Sequence, residues 1–364
     1  MSGARRVLHV TEAFGGGVLV VLSEIARAQS SAGWVVELLY APRRESPNDD
    51  IVKRMFAGVR LRATPARAIG AFSRLWWLFS QTRIALKRER FDAIHLHSSY
   101  AGFVGRIARL TVRRPSATVC YSPHGWAFLR LDKPRALRWF VRVVERALAR
   151  IPGRLILVSE SEAEMAVRML QLLRPPEVLP NTISLEQIPR SRPNGGDRPK
   201  VMMLGRVSYQ KAPWCFADAA RQFQESAEFV WIGGGDDATV SGWLENTPVT
   251  VTGWVTATAA RDLLASADLV FFPTLWEGMP MALIEAQAMG IPVVASNVVG
   301  NRDVVLDGVT GFVCDGQDAL VECLRLLLFD AELRRELSEN SWRLRDRFSS
   351  EDLASRSARA YGLG

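Results

Sequence analysis

Residues 269–285 read Leu-Val-Phe-Phe-Pro-Thr-Leu-Trp-Glu-Gly-Met-Pro-Met-Ala-Leu-Ile-Glu. The apolar run from Leu269 to Pro273 predicts a buried parallel strand. The segment from Pro280 onward predicts a helix, because proline suits the first position of a helix. Residues 274–278 then form the turn at the carboxyl end of the strand. Since ligands of open α/β sheets bind at such turns, this segment predicts the binding edge of a doubly wound sheet.

Two glutamates, Glu277 and Glu285, stand eight residues apart in this segment. Glu277 is expected in the turn, and Glu285 more than one helical turn further on, at ~1.5 Å of rise per residue. Two carboxylates at different depths suit a ligand with two sets of hydroxyls, such as a sugar nucleotide. The alternative is that both are solvated charges near a helix end, as glutamates usually are. The buried strand and the Gly-Met-Pro turn favour binding.

The start of the predicted helix offers backbone donors to an anionic ligand. The first amides of a helix have no partner within the helix, and they attract phosphate or sugar oxygens. Here the amides belong to Gly278, Met279 and Met281, whereas Pro280 has none to donate. We expect all four residues to line a bound ligand.

The length and composition of the chain limit the possible architectures. At 364 residues the chain exceeds one ordinary core and predicts two domains, and 48% hydrophobic with 23% charged residues indicates folded, soluble material. Four cysteines without Cys-x-x-Cys spacing or a cluster with the four histidines predict neither a zinc site nor a disulfide framework, so a reducing cytosol fits best. His95 and His97 share a strand face, but without a third ligand nearby they predict no metal site.

Charge is distributed unevenly along the chain. Lys and Arg outnumber Asp and Glu by 30 to 15 in residues 1–190, whereas residues 191–364 hold 16 basic and 23 acidic side chains. This asymmetry predicts that the first half faces an anionic partner. In residues 71–90 basic and apolar side chains are interspersed on a predicted amphipathic helix, which favours an anionic membrane surface over nucleic acid. A core helix with solvated arginines is the open alternative.

Trp76 and Trp77 would lie on different faces of this helix, so one of them is expected to leave its main apolar stripe. The residues after Met1 include no apolar run long enough for a signal peptide, and no run is long enough for a spanning helix. We therefore expect a cytoplasmic protein, bound peripherally to the inner face of the cytoplasmic membrane.

Strand and helix patterns alternate along the whole chain, beginning with a βαβ opening in residues 6–41 that has a glycine turn at 15–17. Glu37 lies 20 residues after Gly17 and would suit the ribose of a dinucleotide. However, Val20 stands where that motif needs glycine or alanine, and no Tyr-x-x-x-Lys occurs. A nicotinamide-dependent oxidoreductase is therefore the weaker interpretation.

Several segments, in the same order, resemble the retaining family 4 glycosyltransferases of the type that builds bacterial surface polysaccharides. Residues 269–285 resemble the family's signature, 202–212 its phosphate-gripping strand and loop, and 120–126 a segment whose histidine faces the donor sugar. Residues 157–161 and 179–183 resemble later landmarks of the first domain. The resemblance covers nearly the whole chain and implies the α/β fold called GT-B: two facing Rossmann-like doubly wound domains with a cleft between them.

The polar segment 191–199, rich in Pro and Gly, is the clearest linker. With the resemblance, it predicts an acceptor-side Rossmann-like domain at 1–190 and a nucleotide-sugar-binding Rossmann-like domain at 191–349. In the resembled fold the last helix crosses back, so residues ~350–364 are expected to pack on the first domain.

The resemblance also implies roles for individual residues. Arg206 and Lys211 hold the donor diphosphate, one with a planar fork of donors and the other with a point charge. Glu277 binds hydroxyls of the donor sugar, Glu285 binds the ribose, and His124 contacts the sugar or its developing charge. The expected catalytic residues are thus His124 and Glu277.

Gly16 and Gly17 are implied to lie against the donor phosphate and the acceptor. The expected activity is transfer of a sugar from a nucleotide diphosphate, such as a UDP- or GDP-sugar, to a glycan or polyprenyl-diphosphate-linked acceptor with retention of configuration. No metal or other cofactor is required in this prediction. A two-carboxylate hydrolase would leave Arg206 and Lys211 without a role. A catalytically silent sugar-nucleotide-binding or scaffold protein on the same fold is the open alternative.

Overall fold

The computed structural model describes residues 4–42, 46–65, 70–113, 115–192 and 198–364. The chain divides into two compact units. The first comprises Met1–Leu129, Lys133–Thr182 and Ser350–Gly364, and the second comprises Arg130–Asp132 and Ile183–Ser349. The chain thus enters the second unit at Ile183, ahead of the predicted linker 191–199, of which residues 193–197 lie outside the described part.

The first unit contains a seven-stranded, wholly parallel sheet in the order β3-β2-β1-β4-β5-β6-β7. Its strands are β1 (Arg6–Thr11), β2 (Val35–Tyr40), β3 (Arg60–Ala63), β4 (Ala93–His97), β5 (Thr118–Ser122), β6 (Arg154–Leu157) and β7 (Glu177–Val178). Its first six helices are α1 (Gly16–Ser31), α2 (Asp49–Met55), α3 (Ala71–Arg88), α4 (Ser99–Leu110), α5 (Arg135–Leu148) and α6 (Glu160–Leu170). The strand order reverses at β1, between β2 and β4, where such sheets bind ligands.

The second unit contains a six-stranded parallel sheet in the order β10-β9-β8-β11-β12-β13. Its strands are β8 (Lys200–Leu204), β9 (Glu228–Ile232), β10 (Val249–Val251), β11 (Leu269–Phe272), β12 (Val293–Ser296) and β13 (Gly311–Cys314). Its helices are α7 (Pro213–Phe223), α8 (Asp237–Trp243), α9 (Ala257–Leu264), α10 (Met281–Ala288), α11 (Asn301–Val304), α12 (Gly316–Phe329) and α13 (Ala331–Arg343). The order reverses at β8, which pairs with both β9 and β11.

The last helix, α14 (Leu353–Tyr361), belongs to the first unit and packs on α1. Tyr361 is fully buried there. Every residue of the central strands β4 and β11 is buried, which explains why β11 reads as an unbroken apolar run. β4 instead alternates apolar residues with His95 and His97, which are buried as well. The edge strand β3 has the sequence Arg-Leu-Arg-Ala, which is too short and too charged to be predicted as a strand from sequence.

All four cysteines carry free thiols. Within the described ranges, no helix combines the length and the apolar character that crossing a membrane requires.

Candidate functional site

The loop after β8 is shaped by a glycine and a left-handed residue. Gly205 has a φ of 152°, and a Cβ on it would lie 3.2 Å from Cε of Lys211. The loop ends with a 3-10 turn at Tyr209–Lys211 and with Ala212 at a φ of 47°, after which Pro213 opens α7. This bend returns the lysine side chain over the end of the sheet, where Nζ lies 4.5 Å from the ring centroid of Phe272 in β11.

Lys211 and Glu277 form an ion pair with 2.7 Å between Nζ and Oε1. They meet because β8 and β11 are neighbours, so that the loops after these strands lie side by side. Two hydrogen bonds join the loops: Leu275 N donates to the Gln210 carbonyl at 2.9 Å, and Gln210 Nε2 donates to the Trp276 carbonyl at 2.7 Å. The lysine and glutamate side chains are 15% and 9% exposed, so the pair is largely shielded from water.

Glu285 also has a cationic partner, which the sequence did not indicate. Nε of Arg261 donates to Oε1 of Glu285 at 2.8 Å, with side chains 20% and 11% exposed. Arg261 lies on α9, in the segment that precedes β11. An arginine on a helix that precedes the strand by several residues carries no motif, so spacing alone could not have paired it with Glu285.

The remaining predicted residues of the second unit occupy the same edge of the sheet. Arg206 directly follows Gly205 at the end of β8 and is exposed. Gly278, Met279 and Pro280 precede α10, which begins at Met281 rather than at Pro280. Gly278 and Met279 already have interaction partners inside the protein.

The turn after β12 supports this loop from behind. Gly300 has a φ of 85°, and a Cβ on it would lie 2.1 Å from the Gly278 carbonyl oxygen, so only glycine fits. Asn301 Nδ2 donates to Thr274 Oγ1 at 3.2 Å and to the Ser296 carbonyl at 3.0 Å. The loop that carries Glu277 is therefore held by two neighbouring loops, which fixes the position of its carboxylate.

In the first unit, Gly16 and Gly17 form the exposed start of α1. Gly16 has a φ of 57°, a backbone conformation that glycine adopts without strain. Gly15 precedes the helix and provides no side-chain cap. The neighbouring helix α4 differs, because Glu12 accepts from its Ala101 amide at 2.7 Å. The start of α1 thus keeps the positive end of a helix without a carboxylate cap.

His124 follows β5 in a strained turn, with a φ of 53° followed by 96° at Gly125. Its ring is half-buried and stacks on that of His97, with 5.1 Å between ring centroids and an interplanar angle of 11°. His124 Nε2 lies 2.8 Å from His97 Nδ1. Burial lowers the pKa of His124 to about 4, so the ring is neutral at pH 7.

The expectation that no third ligand lies near His95 and His97 is wrong, because His9 on the neighbouring strand β1 brings ring nitrogens of all three within 4.8 Å of one another. Each of their six ring nitrogens has a hydrogen-bond partner: His9 contacts His97 and Gln29, His95 contacts Tyr361 and Ser122, and His97 contacts His9 and His124. Burial lowers the pKa of His9 to about 4 and those of His95 and His97 well below 6.5. The cluster is thus a neutral hydrogen-bonded network whose nitrogens are engaged without an ion.

Glu37, considered above as a ribose ligand, has another role. It is fully buried in β2 and forms ion pairs with Arg6 at 3.6 Å, Arg60 at 3.3 Å and Arg62. These arginines lie on the two flanking strands. The carboxylate is therefore part of the sheet and does not point to a dinucleotide.

Comparisons with known proteins agree with this architecture. Residues 198–330 match the family described as "Glycosyl transferases group 1", and residues 16–182 match the "Glycosyl transferase 4-like domain". A UDP-Gal:alpha-D-GlcNAc-diphosphoundecaprenol alpha-1,3-galactosyltransferase of Escherichia coli is 29% identical over 292 residues, which covers 74% of this chain and 73% of the relative.

Two solved structures share the fold over 98% of this chain, each at 18% identity. Sucrose-phosphate synthase from Thermosynechococcus elongatus superimposes with a TM-score of 0.81 and 98% of its own chain covered. HepE from Anabaena, in complex with UDP and glucose, superimposes with a TM-score of 0.76 and 99% of its own chain covered. The two parallel-sheet α/β units, the two matched domains and these neighbours lead to one conclusion: the chain has the GT-B fold and belongs to the group 1 glycosyltransferases.

Proposed function

We propose that this protein transfers a hexose from a nucleotide diphosphate sugar to a lipid-linked or glycan acceptor, with retention of anomeric configuration. The observation that carries the proposal is the shielded Lys211–Glu277 ion pair at the carboxyl edge of β8 and β11, where the strand order reverses. Lysine suits a diphosphate and a carboxylate suits sugar hydroxyls, so one pair provides both halves of a nucleotide-sugar site.

The cations of this edge would stabilise the leaving group. As the bond between the anomeric carbon and the phosphate oxygen breaks, negative charge grows on the diphosphate. Lys211 beside that oxygen and Arg206 at the end of β8 stabilise this negative charge. In this proposal the two cations do so without a divalent ion. Glu277 is then released from part of its interaction with Lys211 and accepts hydrogen bonds from sugar hydroxyls. Glu285, oriented by Arg261, accepts from the ribose.

Retention would follow from attack on the same face that the leaving group departs. The acceptor hydroxyl forms the new bond to the anomeric carbon, the phosphate oxygen takes the electron pair of the old bond, and the hydroxyl proton passes to that oxygen. His124, neutral at pH 7, contacts the sugar, and the uncapped start of α1 at Gly16 and Gly17 favours anionic groups.

The acceptor proposal rests on similarity. The E. coli relative is named for an acceptor on diphosphoundecaprenol. We propose that this chain likewise uses a polyprenyl-diphosphate-linked or related glycan acceptor in the assembly of a surface polysaccharide. An acceptor embedded in lipid requires the enzyme to reach a membrane surface.

We propose that the protein binds peripherally to the cytoplasmic side of a membrane, and two helices of the first unit support contact with an anionic surface. The outer face of α5 exposes large apolar side chains, with exposed fractions of 59% and 58% at Trp139 and Phe140. Arginines occupy positions 135, 138, 142 and 146 of the same helix. On α3, Phe72 and Trp76 are 81% and 61% exposed, whereas Trp77 is half-buried. Apolar side chains flanked by arginines suit insertion among anionic headgroups.

The test of function is a transfer assay. The protein is incubated with UDP-, GDP- and ADP-hexoses and a polyprenyl-diphosphate-linked N-acetylhexosamine, and the product is characterised by NMR. We expect one donor to give a glycosylated lipid with the donor's anomeric configuration, in the presence of EDTA as well as without it. An inverted product would contradict retention. Binding of a nucleotide sugar without any transfer or hydrolysis would favour the silent binding protein.

Membrane binding is tested separately by sedimentation with vesicles. We expect binding to vesicles that contain anionic phospholipid, loss of binding in high salt, and a weaker interaction after Trp139→Ser with Phe140→Ser. Phe329→Ser is the matched control, because Phe329 is 63% exposed on α12 of the second unit. Equal binding of both variants would exclude α5 as the lipid-facing helix.

A further inference from the structure

A line of four polar side chains runs through the interior of the first unit and ends at His124. It consists of Gln29 on α1, His9 on β1, His97 on β4 and His124 after β5. Successive polar atoms lie 2.8, 2.9 and 2.8 Å apart. Gln29, His9 and His97 are fully buried, so each proton in the line has one defined donor and one defined acceptor.

The direction of the line is set at Gln29 by the C-terminal helix. Ser357 Oγ donates to the Ala354 carbonyl at 2.9 Å, because a carbonyl only accepts. Ser357 Oγ therefore accepts from Gln29 Nε2, which lies 3.1 Å away. This orientation turns Oε1 of Gln29 toward His9, and since that oxygen only accepts, Nε2 of His9 carries the proton.

A second branch fixes the same orientation independently. Ser122 Oγ donates to the Ile156 carbonyl at 2.7 Å, so it accepts from His95 Nε2 at 2.9 Å. His95 Nδ1 then accepts from the Tyr361 hydroxyl at 2.9 Å. That hydroxyl in turn accepts from Gln29 Nε2 at 3.1 Å. A flipped Gln29 amide would reverse both branches and forfeit the hydrogen bonds to both carbonyls.

The proton positions pass along the line from one ring to the next. His9 is neutral, so a proton on its Nε2 leaves Nδ1 as an acceptor for Nε2–H of His97. The neutral His97 ring then offers Nδ1 to Nε2–H of His124. Nδ1 of His124 is therefore the nitrogen with the lone pair. Because the amide of Gln29 does not take up a proton at neutral pH, the line fixes proton positions and does not conduct protons.

We infer that Gln29, held by Ser357 and Tyr361 of α14, is a positioning residue that fixes His124 as the Nε2–H tautomer, so that its Nδ1 accepts a hydrogen bond from a carbohydrate hydroxyl. The identity of the ligand rests on the proposed function, whereas the tautomer does not. The inference also gives α14 a role in the site: the helix sets the chemistry of His124 through buried side chains and without touching the ligand.

The first test is the proton position itself. The chain has four histidines, all in this network, so ¹⁵N labelling of histidine gives few signals, and His124→Asn assigns one of them. In two-bond ¹⁵N–¹H correlation spectra we expect all four rings to be neutral Nε2–H tautomers at pH 7.5. A proton on Nδ1 of His124 would overturn the inference, whether or not the protein proves to be a transferase.

Two substitutions then test Gln29. Gln29→Glu keeps an acceptor for His9, so His124 should remain the Nε2–H tautomer; Tyr361 must now donate to the carboxylate, so His95 should change to the Nδ1–H tautomer. Gln29→Leu removes the acceptor, so His124 should become a mixture of tautomers, with kcat lower by about tenfold and unchanged nucleotide affinity. A Gln29→Leu protein whose His124 stays wholly Nε2–H would overturn the inference. If that variant does not fold, Ser357→Ala with Tyr361→Phe, which removes both hydroxyls that orient the Gln29 amide and frees it to flip, is expected to give the same mixture.

Discussion

The polar edges of the two parallel sheets differ in charge: one holds ion pairs and the other holds neutral histidines. At the edge of the second unit, carboxylates meet cations in the shielded pairs Lys211–Glu277 and Arg261–Glu285. At the edge of the first unit, His124 ends a line of buried imidazoles that are neutral at pH 7. One edge suits a ligand with formal charge and the other suits hydroxyl groups, which need a directed acceptor rather than a charge.

In a shielded ion pair that also faces a ligand, a charged group of the ligand can replace one of the two partners. Ligand binding at such a pair therefore depends on the charges of its side chains. A neutral network has no charge to exchange, and its function depends on where each proton lies. In the second unit, substitutions that remove a charge should therefore have the largest effect on activity. In the first unit, the largest effect should come from substitutions that move a proton to another ring nitrogen.

The largest effect is expected for Lys211→Ala. If Lys211 stabilises the leaving oxygen as proposed, its loss should lower kcat about 10²–10³-fold, as loss of one group that stabilises the transition state commonly does. The measurement is the initial rate at saturating donor. Arg221→Ala is the matched control, since Arg221 lies on α7 in an exposed pair with Asp218 and should leave the rate within twofold. Equal rates for the two variants would separate the Lys211–Glu277 pair from catalysis.

The neutral network predicts loss of stability in mild acid. The histidine pKa values are lowered in the folded protein, so the unfolded chain binds more protons as the pH falls below about 6.5. The contribution of the neutral histidines to the free energy of unfolding should be fully present above pH 6.5. It should decline toward pH 4, by about 3 kcal/mol for His9 alone.

Urea denaturation at pH 7.5 and pH 5.0 measures this effect. Carboxylates whose pKa is lowered in the folded protein, such as Glu89 beside Arg62, reduce stability only as the unfolded chain takes up protons near pH 4.5, so they contribute little between pH 7.5 and pH 5.0. The urea midpoint should be lower at pH 5.0. Identical midpoints would contradict the assignment of neutral, buried imidazoles.

An intermediate effect is expected for Glu285→Gln. The amide keeps the shape of the side chain but loses the charge that strengthens hydrogen bonds to hydroxyls and holds Arg261. Affinity for the nucleoside diphosphate should fall about 10–100-fold, measured by calorimetry. Glu322→Gln, in an exposed pair with Arg325 on α12, should bind as the wild type does. If Glu285→Gln also binds normally, Glu285 serves only to hold α9.

The smallest effect concerns the start of α1. Gly16→Ala should lower the free energy of unfolding by about 1–2 kcal/mol, because alanine is strained in the left-handed conformation although no atom lies within 4 Å of the added Cβ. Gly17→Ala is the control, since Gly17 lies inside the helix and is absent from the positive-φ positions. Thermal unfolding should distinguish the two, and equal stabilities would show that this turn is not held in the left-handed form.

The sequence was most informative where the site is contiguous. The buried strand, turn and helix of 269–285 could be recognised because all three signals adjoin. Arg206 and Lys211 were indicated by the resemblance of residues 202–212 to a phosphate-binding strand and loop, and both follow β8. The contact between Lys211 and Glu277 required the adjacency of β8 and β11, which the sheet order determines. Arg261 was missed because its distance from Glu285 in sequence has no motif.

The histidine line was less accessible to sequence reasoning. His9, His97 and Gln29 come from three different elements, and only the shared face of His95 and His97 could be inferred from spacing. Their partners on α14 lie more than 250 residues away in sequence from His95, at Tyr361. For Glu37 the spacing was misleading. Its distance from a glycine turn suggested a ligand contact, whereas its carboxylate forms ion pairs with three arginines on neighbouring strands.

The proposed function requires that Arg206 and Lys211, at the charged edge of the second unit, bind the diphosphate of a nucleotide sugar. Calorimetry measures this by comparing a nucleoside with its diphosphate, for whichever of UDP, GDP and ADP binds best. The wild type should bind the diphosphate far more tightly than the nucleoside, and Arg206→Ala with Lys211→Ala should abolish most of that difference. A double variant that still prefers the diphosphate as strongly as the wild type would show that these two cations do not hold the diphosphate.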